Sequence, residues 1–478
     1  MNNFEVIIGI ENHVELKTKS KMFGMGPVSF GKEPNTQVSE VDMGYPGAMP
    51  SVNKEGVRLA LLACNALKMK IDSLLRFDRK NYFYPDLVKG FQITQQYHPI
   101  GRDGYIKINT ESGSYKNIEI ERLHIEEDTA KQTHKGNFTY IDYNRSGVGL
   151  IEIVTKPVLR NANEAMEYVT NLKEILLFLG VSDVKMNEGS LRCDINISLR
   201  PYGFNGYGSK VEIKNLNSIN NIKKSIEFEI KRQSAILLSG NKVDQETRRF
   251  DENLQETILM RKKTDAIDYK YFREPNLFPI QLDKKWINEV IENAPELASE
   301  KREKYINIYG LNLDDANYIL SDLLLTKFFE DTVSLINEPQ KIANYLITDV
   351  KTLLNKTNIE ISESTLTPEK IKDIIIFLEK GIISSKHVKT ILPIVFETNK
   401  SIQSIIDENN LKLISDVKEI TKILEPIIKN NINLINENIE TRPERVEKTV
   451  MGLLMKETGG NVNPTVGTEV LFKLIKKS

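Results

Sequence analysis

The chain is short of cysteine. Only Cys64 and Cys193 occur in 478 residues, far apart and among apolar neighbours. This excludes a disulfide framework and a CxxC zinc ribbon, and it fits a reducing cytosol. Both thiols read as inert core groups rather than nucleophiles. A surplus of charge is also missing: 65 Lys and Arg face 66 Asp and Glu, for a net charge of −1. Without an overall basic field, any nucleic-acid contact must come from local clusters. No apolar run is long enough to span a bilayer, and "MNNFEVIIGI" lacks the features of a signal peptide. A cytoplasmic protein without membrane association is expected. There is no GxxxxGK[ST] loop and no convincing dinucleotide fingerprint. If a nucleotide is used, its cradle is of another kind.

The length implies two or three domains. The first ~290 residues hold most of the glycine and aromatics and four of the five histidines. "GYIKINTESGSYKNIEIERLHIEED" reads as a hairpin turning at Glu111-Ser112-Gly113. Helical spacing appears at 52–69, at 163–179 with Asn163 as N-cap and Gly180 as terminator, and at 218–239 ending at Gly240. Strands and helices without βαβ alternation predict an α+β domain over 1–292. From "NAPELASEKREKY" the pattern is helical, as in "TPEKIKDIIIFLEKG" with Thr367-Pro368 at its start. A helical domain over 293–400 and a small helical tail over 401–478 are predicted. The tail carries eleven acidic and eleven basic residues.

The stretch "GVGLIEIVTKP" (147–157) poses a physical problem. It is apolar at both parities, as in a strand buried on both faces, except for Glu152. A lone buried carboxylate needs a proton, a cation or a metal ion. In "RLHIEEDTAKQTH" (122–134), strand alternation sets Leu123, Ile125 and Glu127 on one face and His124, Glu126 and Asp128 on the other. Glu127 therefore points with the apolar residues, as Glu152 is expected to do. In "IGIENHVELKTKSKMF" (8–23), Glu11, His13 and Glu15 share a face opposite Ile8, Ile10, Asn12, Val14 and Leu16. A shared hard cation, Mg²⁺ before Mn²⁺, would answer all of this. Buried pairs with Lys or Arg answer it equally well, and the residues alone leave the two level.

"DYNRSGVG" (142–149) suits a loop whose N–H groups face an anion, with Gly147 in the turn and Arg145 alongside. "KMNEGSLRCDINISLRP" (185–201) alternates an apolar face with Arg192, Asp194, Asn196, Ser198 and Arg200. Lys210, Glu212 and Lys214 in "SKVEIKNLNS", Arg248 and Arg249 in "ETRRFDE", and Arg261, Lys262 and Lys263 in "MRKKTDAIDYKYFREP" extend this texture. Such clusters are usually solvated faces. Here they share a half of the chain with the carboxylates, which favours an anionic substrate and phosphoryl-transfer chemistry.

Taken in order, "IGIENHVELKTKSKMF", "FDRKNYFYPDLVKGFQITQ", "RLHIEEDTAKQTHKG", "DYNRSGVGLIEIVTKP", "SDVKMNEGSLRCDINISLRP", "KNLNSI", "QETRRFDE" and "DYKYFREP" resemble the family of B subunits of the aspartyl/glutamyl-tRNA amidotransferase. The resemblance covers essentially the whole chain and is strongest over 5–275. It implies a cradle-like α+β kinase domain, a helical domain and a YqeY-like tail that docks tRNA. It implies phosphorylation by Mg-ATP of the side-chain carboxylate of Glu or Asp mischarged on tRNA(Gln) or tRNA(Asn). Ammonia from a partner amidase (A) subunit then yields the amide, and a small C subunit joins the two. Carried over by motif, His13, Glu127 and Glu152 are the expected metal ligands, with Glu11 and Glu126 beside them. Glu127, Glu152, Arg192 and Lys214 are expected at the catalytic centre, and Arg145, Gly147, Arg248 and Arg249 at the ATP. Departures are Asn12, Val88 and Arg273, where other residues are usual in the family, and a cysteine-free stretch after "KMF", from which no zinc is expected. The contrasting reading is a tRNA-binding scaffold without chemistry of its own.

Overall fold

A computed structural model describes residues 4–262 and 268–476. Lys263, counted above among the basic residues, lies outside them. The chain divides into two compact units, one ending at Ala298 and the other beginning at Ser299.

The first unit is built on strands. In chain order they are β1 (Phe4–Glu15), β2 (Lys70–Ile71), β3 (Leu74–Leu75), β4 (Asp78–Asn81), β5 (Phe91–Thr94), β6 (Gly101–Asn109), β7 (Tyr115–Glu127) and β8 (Lys131–Lys135). After these come β9 (Phe138–Asp142), β10 (Gly149–Thr155), β11 (Leu191–Pro201), β12 (Val211–Lys214), β13 (Glu246–Asp251), β14 (Glu256–Lys262), β15 (Phe272–Arg273) and β16 (Ile280–Gln281). Nine of them form one sheet in the order β14-β13-β12-β11-β1-β10-β7-β6-β2. Only β12 and β13 run parallel within it. A smaller sheet, β15-β4-β5, carries residues from both ends of the unit.

Period-two alternation gives the large sheet two unlike faces. One face holds Ile8, Ile10, Val14, Leu123, Ile125, Ile151, Ile153, Ile195 and Ile197, all at most 1% exposed. In the same core lie apolar residues of helices α1 (Lys54–Ala66), α2 (Ala162–Phe178) and α3 (Ile219–Leu238). Asn12 is buried on this face, and its Nδ2 donates to the Cys193 thiol at 2.9 Å. Burial pushes that thiol up to about 12, which keeps it protonated and unreactive.

The predicted helices are present. The N-cap of α2 is Asn161 rather than Asn163: Asn161 Oδ1 accepts from Glu164 N at 2.8 Å. The N-x-x-E spacing favours Asn161, because it puts Glu164 at the third helical position, where its carboxylate accepts from Arg160 N at 2.8 Å. Asn163 instead donates to Glu111. The hairpin at Glu111–Gly113 is as expected, with Gly113 at φ +77°.

The second unit is helical, which together with the first matches the predicted α+β class followed by a helical part. The helix Pro339–Tyr345 continues through a π-turn, Leu346–Val350, into Lys351–Thr357. Near the C-terminus, Ile420, Leu424, Val446, Val450, Leu454 and Leu471 form an apolar core. Among the described residues no helix is long and apolar enough to cross a membrane.

A buried ion pair fastens the cysteine-free stretch after Phe23 to the first unit. Lys21 Nζ lies 3.3 Å from Asp42 Oδ2, with both side chains no more than 1% exposed. Ser39 donates to the same oxygen through N and Oγ. Gly147 sits at φ +80° against Asp42, where any Cβ would overlap the carboxylate. Asp42→Asn would leave the Lys21 ammonium without its counter-charge. It should lower the unfolding free energy by about 3–5 kcal/mol in urea titrations. Adding Lys21→Met should return most of the loss.

Candidate functional site

The second face of the large sheet is polar, and strand register determines what meets on it. On β1, Glu11, His13 and Glu15 point this way. His13 stands opposite Glu152 of β10 on one side and Arg192 of β11 on the other. Glu152 in turn stands opposite His124 of β7. Directly opposed residues share a face, so His13, Glu152 and His124 form a row across three adjacent strands. Glu126 joins the row two residues along β7.

The distances are short. His13 Nε2 is 3.4 Å from Glu152 Oε2, 3.6 Å from Glu11 Oε1 and 3.8 Å from Glu126 Oε1. His124 Nε2 is 3.4 Å from Glu152 and 3.5 Å from Glu126. Ligand atoms of His13, Glu126 and Glu152 all lie within 4.8 Å of one another, and so do those of Glu11, His13 and Asp194. The guanidinium nearest to Glu152 is that of Arg122, at 3.8 Å, and the buried His124 Nδ1 has no partner among the described residues.

Burial alone would lower both imidazole pKa values. The carboxylates outweigh it, Glu152 chief among them, and raise His13 and His124 to about 9. Burial would raise Glu152, but the two imidazolium groups hold it well below the usual range. Glu11 moves the other way, raised by burial and by the Glu152 charge. By its own side chains, the row is thus a carboxylate clasped by two imidazolium groups.

Glu127 is elsewhere. The pairing of Glu152 with His124 places Glu126, not Glu127, on the Glu152 face. Glu127 lies on the opposite face, where Lys89 Nζ donates to Oε1 at 2.5 Å and Ile93 N donates at 2.9 Å. Its charge is answered by an ion pair. The alternation expected along β7 holds, but Glu152 points to the other side from the one expected. That side needs the register between two strands, which neither strand encodes alone.

The basic residues divide similarly. Lys214 pairs with Asp194 and lies 3.2 Å from Glu212 on the polar face. Arg249, opposite Lys214, is half-exposed on that face and 3.5 Å from Asp251. Arg192 Nη2 donates to Asp128 at 2.6 Å. Arg248, by contrast, lies on the other face, 3.2 Å from Glu229 and 3.0 Å from Glu246, with its Nε donating to Thr257. It is a structural cation beside α3 and does not reach the polar face.

The loop at 142–149 is not an open cradle. Ser146 N, Gly147 N and Val148 N donate to the carbonyls of Tyr143, Asp128 and Arg145. Arg145 donates to the carbonyls of Thr129 and Ala130 at 2.9 and 3.0 Å. Gly147 and Arg145 therefore shape the loop rather than present donors. Sequence reasoning misses His124 and Asp194 as members of the cluster. His124 is visible in "HIEED" on the face of Glu126 and Asp128, but only the cross-strand pairing assigns it to Glu152.

Comparison with known proteins gives the family. Residues 6–288 match the family model described as GatB/GatE catalytic domain, and 327–475 match that described as GatB domain. The chain is 60% identical over 479 residues, covering all of both chains, to the B subunit of the aspartyl/glutamyl-tRNA(Asn/Gln) amidotransferase of Mycoplasma mycoides. It is 57% identical to the protein of that name from Mesoplasma florum, over 100% of this chain and 99% of the relative. It is 43% identical to that of Staphylococcus aureus, over 99% of this chain and 100% of the relative.

The raised imidazole pKa values carry a sign. The folded chain retains protons that the unfolded chain, with histidine near 6.5, releases. The stabilisation is complete below about pH 6.5 and is lost as pH rises through about 9. In chelator, the melting temperature should fall across this window, and a flat or rising profile in differential scanning calorimetry would contradict the clasp. With the polar row, the two-unit organisation and the full-length matches in hand, the chain belongs to the family of B subunits of the aspartyl/glutamyl-tRNA amidotransferase.

Proposed function

We propose that this chain activates, at the expense of ATP, the side-chain carboxylate of Glu or Asp mischarged on tRNA(Gln) or tRNA(Asn). It would do so in the cytoplasm, within a complex that also holds an amidase (A) subunit and a small C subunit. The observation that carries the reading is the convergence of His13, Glu126 and Glu152 on one face of the sheet, in a chain whose relatives are named as parts of a tRNA amidotransferase.

The chemistry follows from what a carboxylate lacks. It is a poor electrophile because neither oxygen is a good leaving group. Transfer of the terminal phosphoryl group of ATP to one oxygen breaks the bond to ADP and forms an acyl phosphate. Ammonia then attacks the carbonyl carbon, the C–O bond breaks, and amide and inorganic phosphate leave. Two anions must meet in the first step, so positive charge is needed there.

The residues fit a hard divalent cation. Among the described residues the one Lys or Arg near Glu152 is Arg122, at 3.8 Å and beyond hydrogen-bonding distance, and the other neighbours are carboxylate oxygens and imidazole nitrogens. Mg²⁺ on His13, Glu126 and Glu152, with Glu11 at the edge, would screen the charge of the transferring phosphoryl group. To ligate, His13 must release its proton. Lys214 and Arg249 bring further positive charge to the same face, and Arg192 orders Asp128. The tail over 401–478 is the part that would dock tRNA, by shape and local contacts given its even charge. Zinc has no role in this reading.

Two substitutions test it. Glu152→Gln in the reconstituted complex should abolish ATP-dependent amidation of both mischarged tRNAs while leaving glutaminase activity; full amidation would refute the role. On the full-length chain, Glu126→Gln should weaken Mn²⁺ binding by roughly 10- to 100-fold, whereas Glu127→Gln should leave it within a few-fold. Paramagnetic titration of free Mn²⁺ reads both.

A further inference from the structure

We infer that Lys80 is an anion-binding residue of this site, its ammonium holding the anionic group that joins the cation on His13, Glu126 and Glu152. The inference rests on the metal-site reading above.

The small sheet sets the direction. Lys80 of β4 stands opposite Gln92 of β5, and Asp78 stands opposite Thr94. Opposed residues share a face. Thr94 Oγ1 donates to Glu126 Oε2 at 3.3 Å, and Gln92 Nε2 donates to the Glu127 carbonyl at 2.7 Å. This face of the small sheet therefore looks onto β7 at Glu126, and Lys80 looks with it. The small sheet is a wall beside the polar row, and Lys80 is a cation on that wall.

Its neighbour is answered and it is not. Arg79, on the other face of β4, makes two hydrogen bonds to the buried Glu274, the shorter at 2.5 Å, and lies 3.8 Å over the Phe91 ring. Lys80 Nζ lies 4.8 Å from the Tyr269 ring centroid and 5.8 Å from that of Tyr82. Among the described residues it has no carboxylate within 4.0 Å and no hydrogen-bond acceptor. The two rings meet edge to face and stand beside the ammonium, but they offer little against a full charge. Burial disfavours the ammonium form, while Glu126 favours it, as Glu152 does less strongly, so Lys80 remains a cation.

The half-buried ammonium feels the charge of Glu126 and Glu152 but stands more than 4.0 Å from every carboxylate among the described residues, so no direct ion pair uses it. When a divalent cation draws the carboxylates to itself, the attraction on Lys80 weakens, and an anion that reaches both can bind both positive charges at once. A phosphoryl oxygen or a carboxylate oxygen has the right chemistry: compact, charged and able to accept from Nζ. The rival account makes Lys80 a remote counter-charge to the acids. The two differ in what happens when the charge is removed but the stem is kept.

The test uses the full-length chain loaded with Mn²⁺, inorganic phosphate as probe and ³¹P relaxation as readout. Lys80→Met should retain or strengthen Mn²⁺ binding, because a repelling charge is gone. Its phosphate affinity should fall roughly 10- to 100-fold, the scale of one charge-assisted contact. Lys80→Arg should stay within a few-fold of the natural chain. Unchanged phosphate affinity in Lys80→Met overturns the inference, as does equal loss in both variants or loss of Mn²⁺ binding. Failure of the amidotransferase reading would appear differently: an unsubstituted complex that binds Mn²⁺ and phosphate yet forms no amide. The phosphate comparison then still decides for or against Lys80.

Discussion

The first unit is organised around one carboxylate held between two imidazoles. Glu152 is 7% exposed in the middle of a nine-stranded sheet, and neither imidazole belongs to its own strand. A carboxylate at that depth is tolerated only with compensation. The compensation requires β1 and β7 on either side of β10 in one register. A slip of one residue on either strand would turn an imidazole into the apolar core and bring an apolar or uncharged neighbour to the carboxylate. The core pattern and the polar row thus enforce the same register from opposite faces. An arrangement of this kind can be stable without a ligand and still admit a metal, because imidazolium and metal cation are alternative answers to one buried charge.

Adjacent residues in this fold have unlike fates. Glu126 and Glu127 are consecutive, yet one faces the histidines while the other is neutralised by Lys89. Arg248 and Arg249 repeat the pattern, one tied to Glu229 beside α3 and the other half-exposed on the polar face. Arg79 and Lys80 do so again in the small sheet. In each pair one member makes a buried ion pair that supports the fold, and the other turns to the opposite, polar side. Buried ion pairs contribute little net stability, but removing one partner is costly. They act here as fixed anchors behind the site.

The sequence conveys the alternation, and therefore which residues share a face within a strand. It conveys the helices, their glycine ends and the hairpin at Glu111–Gly113. His13, Glu126 and Glu152 all stand among the candidate ligands, by strand patterning and by motif. What it leaves out is the pairing between strands. The choice between Glu126 and Glu127 depends on the opposition of Glu152 and His124, a relation between distant segments of the chain. The same gap hides His124 and Asp194. The loop at 142–149 misleads for another reason: its glycine and serine suggest donors turned outward, whereas internal carbonyls take up the N–H groups of Ser146, Gly147 and Val148. Asn161 and Asn163 are equally good caps by residue type, and the position of Glu164 separates them.

The small sheet also bears on the order of events during synthesis. Its strands β4 and β5 are made early, but β15 pairs with β4 only once Phe272 and Arg273 exist, and Arg79 meets Glu274 across 195 residues. The central strand β1 similarly waits for β10 and β11. Contacts this distant in sequence are slow to form. A nascent chain released from the ribosome before residue 273 would have the polar row without its complete wall. Such a truncated chain would expose the edge of β4 to other strands, and its hazard in the cell would be aggregation rather than misdirected chemistry.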